Sequence, residues 1–486
     1  MVKIAIYQVM TRLFGNKNKT RRKNGTIEEN GCGKMNDINE AALKSIASMG
    51  FSHVWYTGLI RHASTTSYPF MSHPANANVV KGKAGSPYAI CDYYDIDPDL
   101  AVDVDSRLEE FKKLVKRTHD VGLKMIIDFV PNHVARNYYS DREPQRPMFG
   151  DDDCTDISFF SFNNYYYLVG QSFVSPENSL DLTYNENPAK VSGNDAFTAF
   201  PSKNDWYETV KLNYGVDYMN GRWGHFNPIP DTWNKMLDIL LFWAGKNIDG
   251  FRCDMAEMVP VEFWGWVIPK VKEQYPNIIF IAEVYNPNEY RNYIFNGHFD
   301  YLYDKVGLYD TLRALICGHE SATNIPFRWQ SLTGIEKNML NFLENHDEQR
   351  IASEFFAGNP FKAIPAMVIS ACMNTNPVMI YFGQELGEAG MDEEGFSGRD
   401  GRTTIFDYWC CNSLKKLTSG IETFKNQEKS LYNYYSAILK LRQNVRAFQD
   451  GLFYDLMYVN YDGEENLNPS RHFAFLRRSE KETILV

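Results

Sequence analysis

Four stretches of this chain end an apolar run on groups that can carry charge or move protons: KMIIDFVPNH (124–133), IDGFRCDMAE (248–257), IIFIAEVY (278–285) and NMLNFLENHD (338–347). In the second, Ile248, Gly250, Phe251 and Cys253 make a strand too apolar for a surface, so Arg252 and Asp254 should emerge where that buried strand stops. Taken alone, a buried Arg–Asp pair fits a fixed strand end as well as it fits catalysis. Repetition changes the reading, because several buried strands that each deliver an acid or a histidine at the C-terminal end describe the mouth of a (β/α)8 barrel. Asp254 lies two residues from Arg252, so both point the same way, and the guanidinium should hold the aspartate ionised as a nucleophile. Glu283 follows 29 residues later, one helix-loop-strand unit, so the two carboxyls should top adjacent strands. Preceded by Phe280, Ile281 and Ala282, Glu283 is the candidate for a raised pKa and general-acid work.

The elements needed to hold these groups can be read along the chain. Apolar runs at 2–10, 51–59, 123–130, 247–253, 278–283, 298–303, 338–343 and 377–382 read as eight strands. Helical periodicity falls at 37–49, 105–121, 231–246, 260–274 and 430–448. Strand, loop and helix in alternation predict parallel βα units, an α/β chain closed as a (β/α)8 TIM barrel. Between 138 and 228 the alternation fails in favour of Asn, Asp, Ser, Pro and Tyr, which reads as a subdomain inserted after strand three. From 451 short strands return and the chain stops inside an apolar run; 36 residues are too few to close a sandwich, so this reads as a C-terminal β domain cut short. The partition is therefore barrel (1–137 and 229–450), insert (138–228) and partial β domain (451–486).

At 486 residues the chain has room for a roughly 250-residue barrel plus attachments. Its net charge of −11 argues against nucleic acid or an anionic membrane surface and for neutral or cationic ligands. The 32 Phe, 30 Tyr and 9 Trp serve packing, and exposed rings would offer flat platforms for sugar faces. Eight cysteines without a C-x-x-C spacing read as reduced and mostly buried. A strand begins within two residues of Met1, and no apolar run could span a bilayer, so the cytoplasm is the default compartment unless a leader was removed. Oligomeric state is left open.

On these residues the chain resembles the alpha-amylase family of retaining glycoside hydrolases over essentially its whole length. DFVPNH (128–133), GFRCD (250–254), Glu283 closing strand five and ENHD (344–347) match that family's four strand-end motifs in order. Tyr88 and Asp92, within GSPYAICDYYDIDPDL, match its tyrosine loop. The resemblance implies cleavage of α-1,4-glucosidic bonds in starch or maltodextrins by double displacement, with two carboxyls roughly 5 to 5.5 Å apart. Asp254 would be the nucleophile, Glu283 the acid/base and Asp347 the third carboxylate, stabilising the oxocarbenium-like state. Tyr88, His133, Arg252 and His346 would form the substrate-binding set, with Asp128 bracing Arg252 from below. The resemblance also implies one structural Ca2+ between barrel and insert and no organic cofactor. Asn132 would be its first ligand and Asp181, in SLDLTYNENP, its second; the competing match, VKLNYG, has Lys211 where that acid would stand.

Two departures matter. Where many starch-degrading members carry Lys-His, three and four residues after the nucleophile, this chain has Glu257 and Met258, which leaves acceptor preference open, along with any calcium ligand from that backbone. The first loop, GNKNKTRRKNG, contains no acid, so no metal is expected there. Two other functions compete with hydrolysis. One is transglycosylation or isomerisation on the same fold; the other is a non-catalytic sugar-binding barrel, which predicts loss of an acid, whereas Asp254, Glu283 and Asp347 are all present.

Overall fold

Strands buried on both faces sort their side chains by a period of two, and here that sorting builds two separate cores. The computed structural model describes residues 3–177, 183–462 and 466–486. In it β1 (Ala5–Met10), β2 (His53–Thr57), β3 (Lys124–Phe129), β4 (Gly250–Cys253), β5 (Ile279–Ala282), β6 (Tyr301–Tyr303), β7 (Met339–Leu340) and β8 (Val378–Tyr381) form one parallel sheet in chain order. β8 returns to pair with β1, and the last seam, between β7 and β8, is joined by a single bridge between Asn341 and Val378. Inward-facing Ile6, Trp55, Ile126, Ile281, Tyr303, Leu340 and Met379 fill the barrel interior. Their outward neighbours, among them Tyr7, Val54, Ile127, Phe251, Phe280, Leu302 and Ile380, join the larger core beneath the helices.

The helices cover that outer face: α1 (Glu40–Ser48), α2 (Arg107–Asp120), α3 (Asp231–Ala244), α4 (Val261–Gln274), α5 (Tyr290–Phe295), α6 (Asp310–Ile316), α7 (Asn324–Ser331), α8 (Ile364–Cys372) and α9 (Asn426–Asn444). Helix α2 shows the logic. It buries Phe111, Leu114, Val115 and Thr118, a three- and four-residue spacing that makes one apolar stripe, and leaves its lysines outside. Its neighbour α1 is started by Asn39, whose side chain accepts the N–H of Ala42 at 3.0 Å. The closing helix departs from its expected span of 430–448. Glu428 accepts the N–H of Lys425 at 2.7 Å, which starts the helix earlier, and Val445 is extended, which separates the last turn, Arg446–Asp450.

Between β3 and α3 only short ladders occur among the described residues. His133–Ala135 pairs antiparallel with Thr209–Lys211, Tyr167–Leu168 with Ala189–Lys190, and Val216–Asp217 with Trp223–Gly224. The first ladder sets His133 opposite Lys211 and so ties the insert back to the barrel mouth. At the C-terminal end, β9 (Leu452–Asp455), β10 (Phe475–Arg478) and β11 (Thr483–Leu485) form an antiparallel sheet. Buried Phe475 and the hydrogen bond from Arg477 to the carbonyl of Cys372 (2.9 Å) dock that sheet on the barrel. All eight cysteines are free thiols, and among the described residues no helix is long and apolar enough to cross a membrane.

Candidate active site

Registered pairing puts the expected groups side by side at the C-terminal ends of β3, β4 and β5. Arg252 stands opposite Asp128 on one side and Ile281 on the other, so Asp254 and Glu283, each two residues further along, clear the sheet together. Arg252 then forks: Nη1 donates to Asp254 Oδ1 and Nη2 to Glu283 Oε2, each at 2.7 Å. Its Nε donates to the Tyr303 hydroxyl (3.2 Å), and the rings of Trp55, Tyr88 and Tyr303 surround the guanidinium at 5.1 to 5.6 Å. Asp128 sits beneath, 3.5 Å from Nη1, holding the indole N–H of Trp55 at 3.1 Å. Asp128 therefore braces the guanidinium and is not among the residues that line the cavity.

Residue 255 completes this cluster. Met255 has φ 42° and ψ 42°, a left-handed conformation that a non-glycine residue adopts only when its surroundings impose it. The turn aims its backbone N–H at Glu283 Oε2, 2.8 Å away. On the other oxygen, the Tyr285 hydroxyl donates to Glu283 Oε1. Oε2 thus accepts two N–H donors, and any proton Glu283 carries belongs on Oε1. Burial raises the Asp254 carboxyl well above the carboxylate range; Arg252 opposes this and the charge of Glu283 adds to it. Arg252 is divided between Asp254 and Glu283, so the guanidinium that favours the ionised form of Asp254 does not belong to that acid alone.

Above these groups lies a cavity of about 330 Å3 lined by Tyr88, His133, Asp254, Glu283 and Asp347, with Tyr285 among the other walls. Asp347 comes from the loop after β7, and its side chain is 43% exposed. Burial pushes its carboxyl up, but the His346 ring beside it and the more distant Arg252 bring it below the usual range. His346 lies under the cavity floor. Gln8 Nε2 lies 2.9 Å from its Nδ1, and its other ring nitrogen lies 3.0 Å from Asp347 Oδ2 with the Tyr88 hydroxyl against it. Burial and the ammonium groups of Lys211 and Lys81 hold His133 down to about 3, so it meets a ligand as a neutral imidazole. Of the four expected substrate-binding residues, Tyr88 and His133 line the cavity, whereas Arg252 and His346, 1% and 2% exposed, stand behind the acids that do.

A family profile described as the alpha amylase catalytic domain matches residues 8–451. The chain belongs to the alpha-amylase family. It is 25% identical over 385 residues to alpha-amylase 3 of Dictyoglomus thermophilum, covering 75% of this chain and 68% of that one. It is 23% identical over 412 residues to a Bacillus cyclomaltodextrinase, covering 84% of this chain and 60% of that one. The structure of an alpha-amylase from Geobacillus thermoleovorans complexed with acarbose matches 99% of this chain and 85% of its own, with a TM-score of 0.63 at 20% identity. The relatives are glycoside hydrolases of that family, and the parallel eight-stranded barrel of this chain is the family's fold.

The family's calcium does not fit this member at Asn132. Oδ1 of Asn132, the oxygen that would face a metal, accepts the Lys211 ammonium at 2.8 Å, and its Nδ2 donates to the carbonyl of Gly193 at 2.8 Å. Lys211 is 1% exposed and ion-paired with Asp195. A fixed ammonium therefore occupies the oxygen a hard cation would need. Asp181, the alternative second ligand, lies outside the described residues. The acid-free first loop instead offers cations, with Arg21 paired to Asp392 at 3.0 Å and Lys23 to Glu393 at 2.6 Å.

Further groups surround the site. Glu344, within the ENHD motif, is buried against Arg350 (2.9 Å) and the N–H of Ile351 (2.7 Å) and only shapes the loop. Gln8 lies within β1, Tyr303 ends β6 and Tyr285 follows β5 by three residues, so position on the barrel, and not residue type, was the available clue. Lys81 and Glu208, paired at 3.1 Å in the cavity wall, and Trp206, whose ring lies 5.1 Å from that of His133, come from loops without periodicity.

Proposed function

We propose that this chain hydrolyses α-1,4-glucosidic bonds of starch and maltodextrins with retention at the anomeric carbon. The observation that carries the reading is the Arg252 fork, which brings Asp254 and Glu283 within one guanidinium of each other at the cavity floor. That favours the spacing of roughly 5 to 5.5 Å used in double displacement over the wider separation that admits a water between two carboxyls. Asp254 attacks C1 as the carboxyl of Glu283 gives its Oε1 proton to the leaving oxygen. A glycosyl ester on Asp254 then meets water, whose proton returns to Glu283. Asp347, charged and facing the cavity, accepts hydrogen bonds from ring hydroxyls that strengthen as the sugar flattens. Neutral His133 and Tyr88 line the same space and contact that sugar. The alpha-amylase, cyclomaltodextrinase and acarbose-bound amylase among the relatives support a glucan substrate of this type.

The test is proton NMR of the reducing end released from maltopentaose during the first minutes of reaction. The α anomer should appear first; initial β product would remove the double-displacement reading. Chromatography of products from amylose, pullulan and maltose then separates amylase action from cyclomaltodextrinase-like or transglycosylating action, the latter revealed by products longer than the substrate.

A further inference from the structure

Glu257 stands three residues after Asp254, where the departure from the family leaves acceptor preference open. Its side chain turns to the loop after β5. Oε2 accepts the backbone N–H of Tyr285 at 2.6 Å and of Asn286 at 3.0 Å, so a carboxylate from the turn after β4 clamps the loop after β5. Its own turn is fixed in return, since the Tyr293 hydroxyl donates to the carbonyls of Glu257 (3.1 Å) and Val259 (2.9 Å). The residue this clamp secures is Tyr285, half-buried in the cavity wall with its hydroxyl on Glu283 Oε1.

That oxygen matters more than its twin. Oε2 of Glu283 already accepts from Arg252 and from Met255 N–H, so the transferable proton has only Oε1 to occupy. A phenol hydroxyl can accept from a protonated carboxyl and donate to an ionised one by rotating, without giving up its own proton. Burial and the nearby charge of Glu283 push the Tyr285 phenol well above its ordinary pKa, which keeps that proton in place.

We propose that Tyr285, clamped by Glu257, is a positioning residue for the acid/base: it holds Oε1 of Glu283 toward the leaving oxygen and donates to it once the proton has departed. This rests on the assignment of Glu283 as acid/base in the proposed function. In the first half-reaction the Oε1–H bond breaks as a proton joins the glycosidic oxygen, and the Tyr285 hydroxyl turns to stabilise the carboxylate left behind. In the second half-reaction the same carboxylate takes a proton from water, and the hydroxyl turns back.

Tyr285→Phe, Glu257→Ala, Glu257→Gln and Glu283→Gln should be compared on maltopentaose and on a maltosyl fluoride, with thermal unfolding as a check on folding. Loss of the donor should shift the basic limb of the kcat/KM profile of Tyr285→Phe upward by about one pH unit. Its kcat on maltopentaose should fall about ten-fold or more, with KM little changed and the fluoride largely spared. Glu257→Ala should reproduce that pattern, and Glu257→Gln, which keeps an acceptor for the two N–H groups, should restore most of it. An unmoved basic limb in Tyr285→Phe overturns the proposal. So does a Glu257→Ala defect confined to KM, which would mark a direct sugar contact. If Glu257→Ala fails to fold, the limb shift of Tyr285→Phe decides the matter alone. Glu283→Gln separates the two layers: full activity on maltopentaose removes the acid assignment itself, whereas an inactive Glu283→Gln beside an unaffected Tyr285→Phe removes only the positioning role.

Discussion

Arg252 Nη2 lies 2.7 Å from Glu283 Oε2 while Nη1 of the same side chain lies 2.7 Å from Asp254 Oδ1, so one buried cation is shared by the two acids of the proposed reaction. A planar fork can serve two acceptors at once; a lysine ammonium is a point charge on a flexible stem and cannot reproduce the two directions. Arg252→Lys should therefore fold but lose kcat by orders of magnitude, and Arg252→Met should also lose about 3 to 5 kcal/mol of stability by leaving buried carboxyls uncompensated. Steady-state kinetics and denaturant unfolding check this. An Arg252→Lys enzyme with normal kcat would show that the fork is only structural.

Asp254→Asn should reduce turnover by several orders of magnitude while maltooligosaccharide binding, followed by calorimetry, persists. Near-normal turnover would remove Asp254 as nucleophile. Glu283→Gln should slow natural glucans far more than substrates whose leaving group needs no proton, and equal slowing of both would count against its acid role.

Lys211 makes a prediction about metal. With an ammonium on Asn132 Oδ1, a chelator should leave the thermal midpoint and the activity of the wild-type enzyme unchanged. Lys211→Met strands Asn132 and the partly exposed Asp195 and should cost about 1 to 3 kcal/mol. A fall of several degrees in the wild-type midpoint on adding EDTA, reversed by Ca2+, would show that a metal belongs there after all.

Glu385, fully buried just beyond β8, gives a pH test away from the cavity. Burial lifts its carboxyl to about 7, and although Tyr7 donates to Oε1 at 2.5 Å, Oε2 has no partner. Below the unfolded value of 4.5 the group is protonated in both states and its contribution to stability is complete. As pH rises from 4.5 through 7 the unfolded chain releases its proton first, so stability falls, by about 3 kcal/mol in total, and then levels. Glu385→Gln mimics the protonated side chain. Its stability relative to wild type should rise by about that amount between pH 4 and pH 8, measured as the difference between the two unfolding curves so that other titrating groups cancel. A pH-independent difference would mean the carboxyl is not held protonated.

Reading by residue pattern succeeded wherever the pattern was dictated by burial. The eight apolar runs became the eight strands because a parallel strand covered on both faces has no polar alternation to confuse it, and Asp254 and Glu283 were found because acids at the ends of such runs have no packing reason to be there. The insert was legible only as a break in alternation. Its ladders are two or three residues long, below the length at which periodicity can be recognised, so Trp206, Glu208 and the partnership of Lys211 with Asn132 stayed hidden.

The order of strands and helices, the acids at the strand tips and the absence of an acid from the first loop were determined by the sequence itself, since each follows from local periodicity and residue type. Only the tertiary structure decided that Arg252 divides its charge between two carboxyls, that Glu257 clamps the loop carrying Tyr285, and that a lysine ammonium takes the oxygen expected to hold calcium. The contacts Arg252–Glu283, Glu257–Tyr285 and Lys211–Asn132 join residues 31, 28 and 79 apart, and each depends on the direction of a side chain across that separation. Linear spacing carries no information about such directions until the barrel has closed.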